Sequence, residues 1–391
     1  MKRNFKAVCS VLMILLLVFV CFVPAFAATL KNDAVLQVKE DGTFKICMFN
    51  DLQDNKKPHS RTIALMDAVL DSEQPDLVVI VGDTLSDRNA TASVNSIEAT
   101  LKNLLKPIAD RTIPFLFTFG NHDHEVTDIL SLEDMIAVCK SFESCVIPEE
   151  VCDPGTYNVP VLNSDATGYA FNVYMMDTGN KNEIEGGYRG VIPEQVDWYK
   201  ATADALKADN GGKIVPSLLF QHIPVKEIYG LLEETEDTKN AYFSTSDHKW
   251  YRLKEDKLVG DNNFCHEAPC SENLTVTTGQ YEAWLEKGDI IGAFFGHDHI
   301  NNFVGITDDG IKMGYNAGAG FATYGDKGNR SARIFVLNEN DPAAYETYNV
   351  TYDEIMNKKT RFVFIDLFCY KTTNAVMRFL DPVIGWIFDL L

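Results

Sequence analysis

The chain has 391 residues and a formal net charge of −21 at pH 7. Its 46% hydrophobic and 23% charged residues are typical of a globular protein that is large enough to bury a sizeable core. The strong negative charge argues against a general binder of nucleic acids or anionic membranes, and it fits a protein that stays soluble outside the cell.

The first residues have the pattern of a secretory signal peptide. Three basic residues precede an apolar run from Ala7 to Val23, and small residues then offer a cleavage site near Ala27. We therefore expect residues 1–28 to be removed and the mature protein to be secreted. An uncleaved membrane anchor is the competing interpretation, although the helix-breaking Pro24 favours cleavage.

Residues 29–350 are expected to form one domain in which strand and helix patterns alternate. The first third predicts a βαβαβ order, with strands at 44–49, 76–81 and 113–119 and helices at 63–70 and 97–108. Such an order favours a parallel sheet covered by helices. Further strands are predicted at 169–176, 217–220, 290–295, 311–315 and 332–337, and the last two have a more antiparallel character.

Two segments fall outside this regular pattern. Residues 230–279 are long, polar and acidic, and we expect an insertion that acts as a lid, shapes the substrate site or lacks regular structure. Residues 351–391 form a hydrophobic C-terminal segment, but charged residues and Pro382 interrupt it before it reaches the roughly 20 residues of a spanning helix. We expect this segment to pack on the core; a peripheral membrane contact or a protein-docking surface is the alternative.

Metal-binding residue types follow five of the predicted strands. In chain order they are Asp51-Leu52-Gln53, Gly82-Asp83, Gly120-Asn121-His122-Asp123, Gln221-His222 and Gly296-His297-Asp298-His299. Each motif alone is weak, since a Gly-Asp pair is more often a turn and a single His more often structural. Because a parallel sheet gathers the carboxyl ends of its strands on one side, the five together predict one crevice that holds two divalent cations.

In these ordered motifs the chain resembles the calcineurin-like metallophosphoesterases, the superfamily that includes the purple acid phosphatases. The resemblance covers roughly residues 44–337. It implies an α/β (α+β) fold with a four-layer double β-sandwich flanked by helices, and a dinuclear metal centre at the carboxyl ends of the strands. It also implies that residues 29–350 are the catalytic domain.

The resemblance implies a role for each motif. Asp51 and His299 would bind the first metal, Asp83 would bridge both, and Asn121, His222 and His297 would bind the second. Gln53 stands where the family usually has a histidine, and its amide oxygen is a harder and weaker ligand. The two divalent ions are expected to be Mn, Mg, Fe or Zn, with Mn²⁺ or Mg²⁺ favoured and the first metal bound less tightly.

The resemblance also suggests catalytic and substrate-binding residues. His122 would stabilise the phosphoryl oxygens or protonate the leaving oxygen, and Asp123 would fix its tautomer and raise its basicity. His124 has no matching role, and we expect it to be exposed to solvent. Arg189, between glycines, is a candidate for binding the phosphate, although a surface loop position is commoner for such a residue.

We therefore expect a secreted, dinuclear-metal phosphoesterase that hydrolyses phosphomonoesters or small phosphodiesters. Its partner would be a small phosphate ester and not a nucleic-acid polymer. One alternative is a catalytically weakened surface or binding protein that keeps the fold, which Gln53 and the acidic insertion motivate. Another is a pyrophosphate or phospholipid hydrolase that acts near a membrane, with the C-terminal segment in peripheral contact.

Overall fold

Two β-sheets make up the centre of the computed structural model, which describes residues 36–85, 93–181, 187–244, 248–269 and 279–360. The strands are β1 (Thr43–Phe49), β2 (Leu77–Val81), β3 (Phe115–Thr118), β4 (Tyr157–Leu162), β5 (Tyr169–Met176), β6 (Ser217–Gln221), β7 (Leu232–Glu234), β8 (Ala241–Ser244), β9 (Lys249–Leu253), β10 (Phe264–Cys265), β11 (Ile290–Phe295), β12 (Asn301–Ile306), β13 (Lys312–Tyr315), β14 (Ser331–Asn338) and β15 (Glu346–Thr351).

The α-helices of the described residues connect these strands. They are α1 (Ser60–Glu73), α2 (Val94–Ala109), α3 (Asn121–His124), α4 (Leu132–Cys139), α5 (Pro193–Asp209), α6 (Gln280–Lys287) and α7 (Tyr352–Ile355). Short 3₁₀ turns lie at Lys226–Leu231, Glu255–Lys257, Lys327–Asn329 and Pro342–Ala344. No helix within the described ranges is long and apolar enough to cross a bilayer.

The first sheet has the strand order β15-β14-β1-β2-β3. Strands β1, β2 and β3 are parallel, and α1 and α2 connect them, so the predicted βαβαβ order is confirmed. Helix α2 begins after Ser93, whose side chain accepts a hydrogen bond from the backbone N–H of Ser96. Its buried face includes the five residues that predict it, Ile97, Leu101, Leu104, Leu105 and Ile108.

The second sheet has the order β10-β12-β13-β11-β6-β5-β4. Strands β5, β6, β11 and β13 are parallel to their neighbours within this group. The antiparallel character expected for the last two predicted strands is therefore wrong for one side of β13, which pairs in parallel with β11 and antiparallel with β12. It is right for β14, which runs antiparallel to both β1 and β15.

The two sheets face each other across an aromatic core. The ring of Phe335 on β14 lies 5.4 Å from that of Phe220 on β6 and 4.5 Å from that of Phe294 on β11, both edge to face. Helices α1 and α2 pack on the first sheet, and α5 and α6 contribute Tyr199 and Trp284 to a second cluster on the other sheet. The layers are helix, sheet, sheet and helix, which confirms the mixed α/β sandwich.

The acidic insertion contains regular structure that its composition did not predict. Strands β7, β9 and β8 form a small antiparallel sheet in that order, and β10 extends the second large sheet by pairing with β12. At the C-terminal end of the expected domain 29–350, strand β15 continues to residue 351, one residue past the expected boundary. The signal peptide at 1–28 and residues 361–391 of the C-terminal segment lie outside the described residues.

The carboxyl ends of β1, β2, β3, β6 and β11 carry the five motifs. Four non-glycine residues of these motifs have left-handed backbones, with φ of 51° at Asp51, 35° at Gln53, 48° at Asp83 and 73° at His297. Non-glycine residues adopt such angles at a cost in free energy, and they concentrate at functional sites. A Cβ atom at Gly120 would collide with the Asp83 carboxylate, so only glycine lets the two loops approach this closely.

Candidate metal centre

Two groups of potential metal ligands share Asp83. The ligand atoms of Asp51, Asp83 and His299 lie within 4.8 Å of one another, and those of Asp83, His222 and His297 do the same. The sequence predicts the same division of these ligands between two metals, with the Asp83 carboxylate common to both. Metal binding itself stays a prediction.

His222 and His299, the two most buried histidines, each point one ring nitrogen toward the centre of the site. The Nδ1 atom of His222 lies 3.0 Å from the carbonyl oxygen of Val81, and the Nδ1 atom of His299 lies 2.9 Å from the carbonyl oxygen of Tyr324. Because a carbonyl only accepts, each Nδ1 donates its proton away from the site and each Nε2 faces the carboxylates. Burial opposes the charge of His222, but Asp83 and Asp51 outweigh it and raise the pKa of this ring to about 10, so its Nε2 would give up a proton on binding a cation. The Nε2 atom of His222 lies 3.2 Å from Asp83 Oδ2, and that of His299 lies 3.2 Å from Asp51 Oδ1.

Two buried polar atoms at this site, Asn121 Oδ1 and His297 Nδ1, have no hydrogen-bond partner. Asp51 Oδ1 and His222 Nε2 contact only the opposite members of the ion pairs just described. Buried polar atoms without a partner cost free energy, and native proteins contain few of them. Carboxylate and amide oxygens suit Mn²⁺ and Mg²⁺, and imidazole suits Fe²⁺ and Zn²⁺, so the donor types present fit a pair of divalent ions without selecting among the four that the sequence predicts.

The charges at the site also suit cations. Burial opposes the ionisation of Asp51 and Asp83, but the neighbouring imidazoles outweigh it and hold the pKa of both carboxyls below their ordinary value. Burial and the charge of His222 lower the pKa of His297 to about 3, so this ring is neutral at physiological pH. Ionised carboxylates and neutral imidazole are the forms that bind metals.

His122 lies at the edge of the centre and is paired with Glu125. Its Nε2 atom is 4.0 Å from Asp83 Oδ2, and its Nδ1 atom is 3.2 Å from Glu125 Oε2. Burial disfavours the charged ring, but the carboxylates of Asp83 and Glu125 outweigh this and raise the pKa of His122. The ring is partly exposed and can therefore meet a substrate with a proton to donate.

Asp123 does not have the predicted role beside His122. Its carboxylate accepts hydrogen bonds from the backbone N–H groups of Gly120, Thr84 and Leu85, at 2.9, 3.1 and 2.9 Å. On a helical turn, neighbours in sequence point to different sides, whereas residues three apart share a face. Glu125 therefore takes the place predicted for Asp123, which instead joins the loops after β2 and β3.

A cavity of about 340 Å³ opens onto this centre. Its described lining consists of Gln53, Asp83, His122, Tyr188, His297, His299, Ala322, Thr323 and Tyr324. Two tyrosines that the sequence analysis did not single out are among these residues. The ring of Tyr188 lies 4.5 Å from that of His297, and the ring of Tyr324 is stacked on that of His299 at 4.0 Å. No local pattern around either tyrosine signals this contact.

Sequence comparison identifies the family of this chain. A sequence model of calcineurin-like phosphoesterases matches residues 44–301, which is more than half of the chain. The chain belongs to the calcineurin-like phosphoesterase family. The resemblance noted in the five motifs is thereby confirmed, and the matched residues run from β1 to the first residue of β12.

Relatives of this phosphoesterase family member occur in plants and yeast. A protein named probable inactive purple acid phosphatase 29, from Arabidopsis thaliana, is 26% identical over 352 residues, covering 81% of this chain and 82% of its own. Phosphatase DCR2 from Saccharomyces cerevisiae is 24% identical over 352 residues, covering 82% of this chain and 56% of its own. A solved dimetal phosphatase from Danio rerio is 11% identical, covers 79% of this chain and 99% of its own, and has a TM-score of 0.46.

Gln53 marks a departure from the usual phosphoesterase motif, and its amide contacts the shared carboxylate. Its Nε2 atom donates a hydrogen bond of 3.0 Å to Asp83 Oδ2. In this orientation the amide steadies Asp83, and its oxygen would reach a metal only after the amide had rotated. The ligand role of Gln53 stays a prediction.

His124 is not exposed, contrary to the sequence-based expectation. Its Nε2 atom lies 2.9 Å from both carboxylate oxygens of Asp177, and the side chains are 14% and 5% exposed. Burial opposes the charge, but the hydrogen bond and the charge of Asp177 outweigh it and raise the pKa of His124. Asp177 follows β5, so no local pattern near His124 could have revealed this partner.

We expect Asp177→Asn to destabilise the protein by about 2 kcal/mol at mildly acidic pH, because a hydrogen bond between charged groups is lost. The pKa of His124 is raised on folding, so the pair stabilises fully below the unfolded pKa of about 6.5. Its contribution falls as the pH rises through the folded pKa. Melting temperatures of the metal-free proteins at several pH values should therefore converge toward alkaline pH; a difference that grew with pH would contradict this.

Arg189 does not line the described part of the cavity. Its guanidinium packs against Gly179, where a Cβ atom would lie 2.6 Å from Arg189 Nε. Its charge lowers the pKa of both His124 and Asp153, and the residue is exposed, so the commoner interpretation of a surface loop residue fits better than phosphate binding. The neighbouring Tyr188 faces the metal centre instead.

Proposed function

We propose that this protein is a secreted, metal-dependent phosphoesterase that hydrolyses phosphomonoesters or small phosphodiesters. The observation that carries the proposal is Asp83, a carboxylate shared by two groups of potential ligands, beside the buried atoms Asn121 Oδ1 and His297 Nδ1 that have no hydrogen-bond partner. Family membership supports phosphate-ester hydrolysis as the type of reaction. Secretion rests on the sequence of residues 1–28 alone.

Each ligand group would hold one divalent ion. Asp51 and His299 would hold the first, His222, His297 and Asn121 the second, and Asp83 would contact both. When bound, such a pair of ions supplies an activated water and neutralises charge on the phosphate. The chain orients the ligands beforehand, because Val81 and Tyr324 fix the His222 and His299 rings through their Nδ1 atoms.

His122 would move the proton that the reaction needs. Ester hydrolysis leaves negative charge on the leaving oxygen, and a protonated imidazole at the cavity edge can neutralise it. Glu125, 3.2 Å from Nδ1, holds the ring and favours its protonated form. Neither lysine nor arginine is among the described lining residues, so charge on the phosphate would be met by the metals and His122.

The proposal is tested by measuring turnover of a chromogenic phosphomonoester and a phosphodiester by the purified mature protein. The protein is stripped of metal with a chelator and then resupplied separately with Mn²⁺, Mg²⁺, Zn²⁺ or Fe²⁺. We expect no turnover without metal and recovery with at least one ion. Metal-independent turnover, or metal binding without turnover of any ester, would contradict the proposal.

A second candidate function is a binding protein that has kept the fold and the metals but lost efficient turnover. Two observations favour it: the Gln53 amide donates to Asp83 in place of the usual histidine, and the plant relative carries the word inactive in its name. Metal binding at normal stoichiometry with no detectable hydrolysis in the same assay would establish this candidate over the first.

A further inference from the structure

Within the described part of the acidic insertion, the carboxylate of Glu267 reaches the surroundings of the metal centre. Its Oε1 atom accepts a hydrogen bond of 3.1 Å from the backbone N–H of Ile300, the residue after His299. The hydroxyl of Tyr324 lies 3.2 Å from both carboxylate oxygens and donates to them. Glu267 therefore binds two neighbours of His299: the backbone of the next residue, Ile300, and the hydroxyl of Tyr324, whose ring stacks on the His299 imidazole.

Tyr324 contacts His299 in three ways. Its carbonyl oxygen accepts the Nδ1 proton at 2.9 Å, its ring stacks on the imidazole at 12° between planes, and its hydroxyl accepts from the His299 backbone N–H at 3.4 Å. The rotation of the His299 ring therefore depends on where Tyr324 lies. Glu267 is the group that holds the far end of Tyr324.

Asn301 fastens the backbone of Glu267 to the same loop. Its Oδ1 atom accepts from the N–H groups of His266 and Glu267 at 2.9 and 3.2 Å, and its Nδ2 atom donates to the carbonyl of Glu267 at 3.1 Å. Strand β10 continues this attachment by pairing with the start of β12. Residues 264–267 of the insertion are thus joined to the His299 loop.

Burial and the neighbouring carboxylate of Asp298 raise the pKa of the Glu267 carboxyl well above its ordinary value. Glu267 therefore acts on His299 through its hydrogen bonds to Ile300 and Tyr324 rather than through its charge. Among the described residues, no outer carboxylate contacts the Nδ1 atom of His222, which is hydrogen-bonded to the backbone carbonyl of Val81.

We propose that Glu267 is a positioning residue for the metal held by Asp51 and His299, acting through Tyr324 and the backbone of Ile300. This rests on the proposed function only in requiring that the centre binds metal. The role of the insertion would then be to raise the affinity of the first metal site, where Gln53 replaces the histidine that the family usually has. Groups that orient a metal-binding histidine typically change metal affinity by 10- to 100-fold.

The test is Mn²⁺ binding to the metal-free full-length mature protein by titration calorimetry, with the wild type, Glu267→Gln and Glu233→Gln compared. Glu233 is the matched control, because it lies in the same insertion but pairs with Arg252 at the surface. We expect two Mn²⁺ ions per chain in all three proteins. In Glu267→Gln, one dissociation constant should rise by about tenfold while the other stays unchanged.

A purely structural role is distinguished by two further readouts. If Glu267 only supported the fold, Glu267→Gln would lower the melting temperature of the metal-free protein and weaken both sites equally, which would overturn the proposal. Tyr324→Phe keeps the stacked ring and the backbone carbonyl but loses the hydroxyl, so it should weaken the same single site by a smaller factor. If Glu267→Gln does not fold, this variant decides: unchanged affinity at both sites overturns the proposal.

Failure of the proposed function gives a different result. A wild-type protein that binds no Mn²⁺ would overturn the metal centre and the role of Glu267 together. A wild-type protein that binds two ions but hydrolyses no ester would leave only the enzymatic function rejected. If each of the two sites had the same affinity in Glu267→Gln as in the wild type, only the positioning role would be overturned.

Discussion

Asp83→Asn is expected to lower metal-dependent turnover on the order of a thousandfold or more and to reduce bound metal below two ions per chain. Asp83 is the only residue common to both ligand groups among the described residues. The variant keeps the shape of the side chain but removes the charge that two cations would share. Metal content by elemental analysis and kcat for the better ester measure the two effects.

Asp76→Asn is the control for this prediction. Asp76 precedes the same strand, β2, at the end away from the centre, where it pairs with Lys39 at 2.8 Å. The pair is partly exposed and far from the ligand groups, so metal content and turnover should stay at wild-type values. An Asp83→Asn protein that retained both ions and most of its turnover would show that Asp83 does not bridge the metals.

His122→Ala is expected to lower kcat by about 10²- to 10⁴-fold without changing the number of bound metal ions. His122 lies at the cavity edge and belongs to neither ligand group. If it donates the proton, the loss should be larger for an alkyl ester than for an aryl ester, whose leaving oxygen needs little protonation. Metal content, and kcat for esters with leaving groups of different acidity, test the two parts of the prediction.

Glu125→Gln serves as the matched variant for His122. It leaves the imidazole in place but removes the carboxylate 3.2 Å from Nδ1, and so lowers the pKa of His122. We expect a smaller loss of turnover than in His122→Ala. The acidic limb of the pH–rate profile should be unchanged, and the alkaline limb should shift to lower pH. Loss of metal in His122→Ala, or equal losses for all esters, would argue against a proton donor.

The ordered motifs were predictable because each lies within a few residues of a strand end. Continuous apolar runs such as 77–81 mark a buried parallel strand, and the polar residues that follow must lie at its carboxyl end. Neither step requires knowledge of distant contacts. For the same reason helix α2 was predictable from the 3.6-residue spacing of its buried side chains.

The neighbours of those motifs were not predictable in the same way. Asp123 and Glu125 are both acidic and both close to His122, and only the helical turn after Gly120 decides which one meets the ring. His124 finds Asp177 across 53 positions of sequence. A residue's local pattern carries no information about such a partner.

The sequence by itself determined the alternation of strands and helices, the five motifs and the family to which they belong, because apolar periodicity and strand ends are local properties of the chain. Tertiary structure alone decided which side chains complete the site. Tyr188, Tyr324 and Glu267 reach the centre from loops and from the insertion, whose polar composition predicted no strands. Their positions follow from how two sheets pack and bring distant loops to one edge, and packing depends on the whole chain.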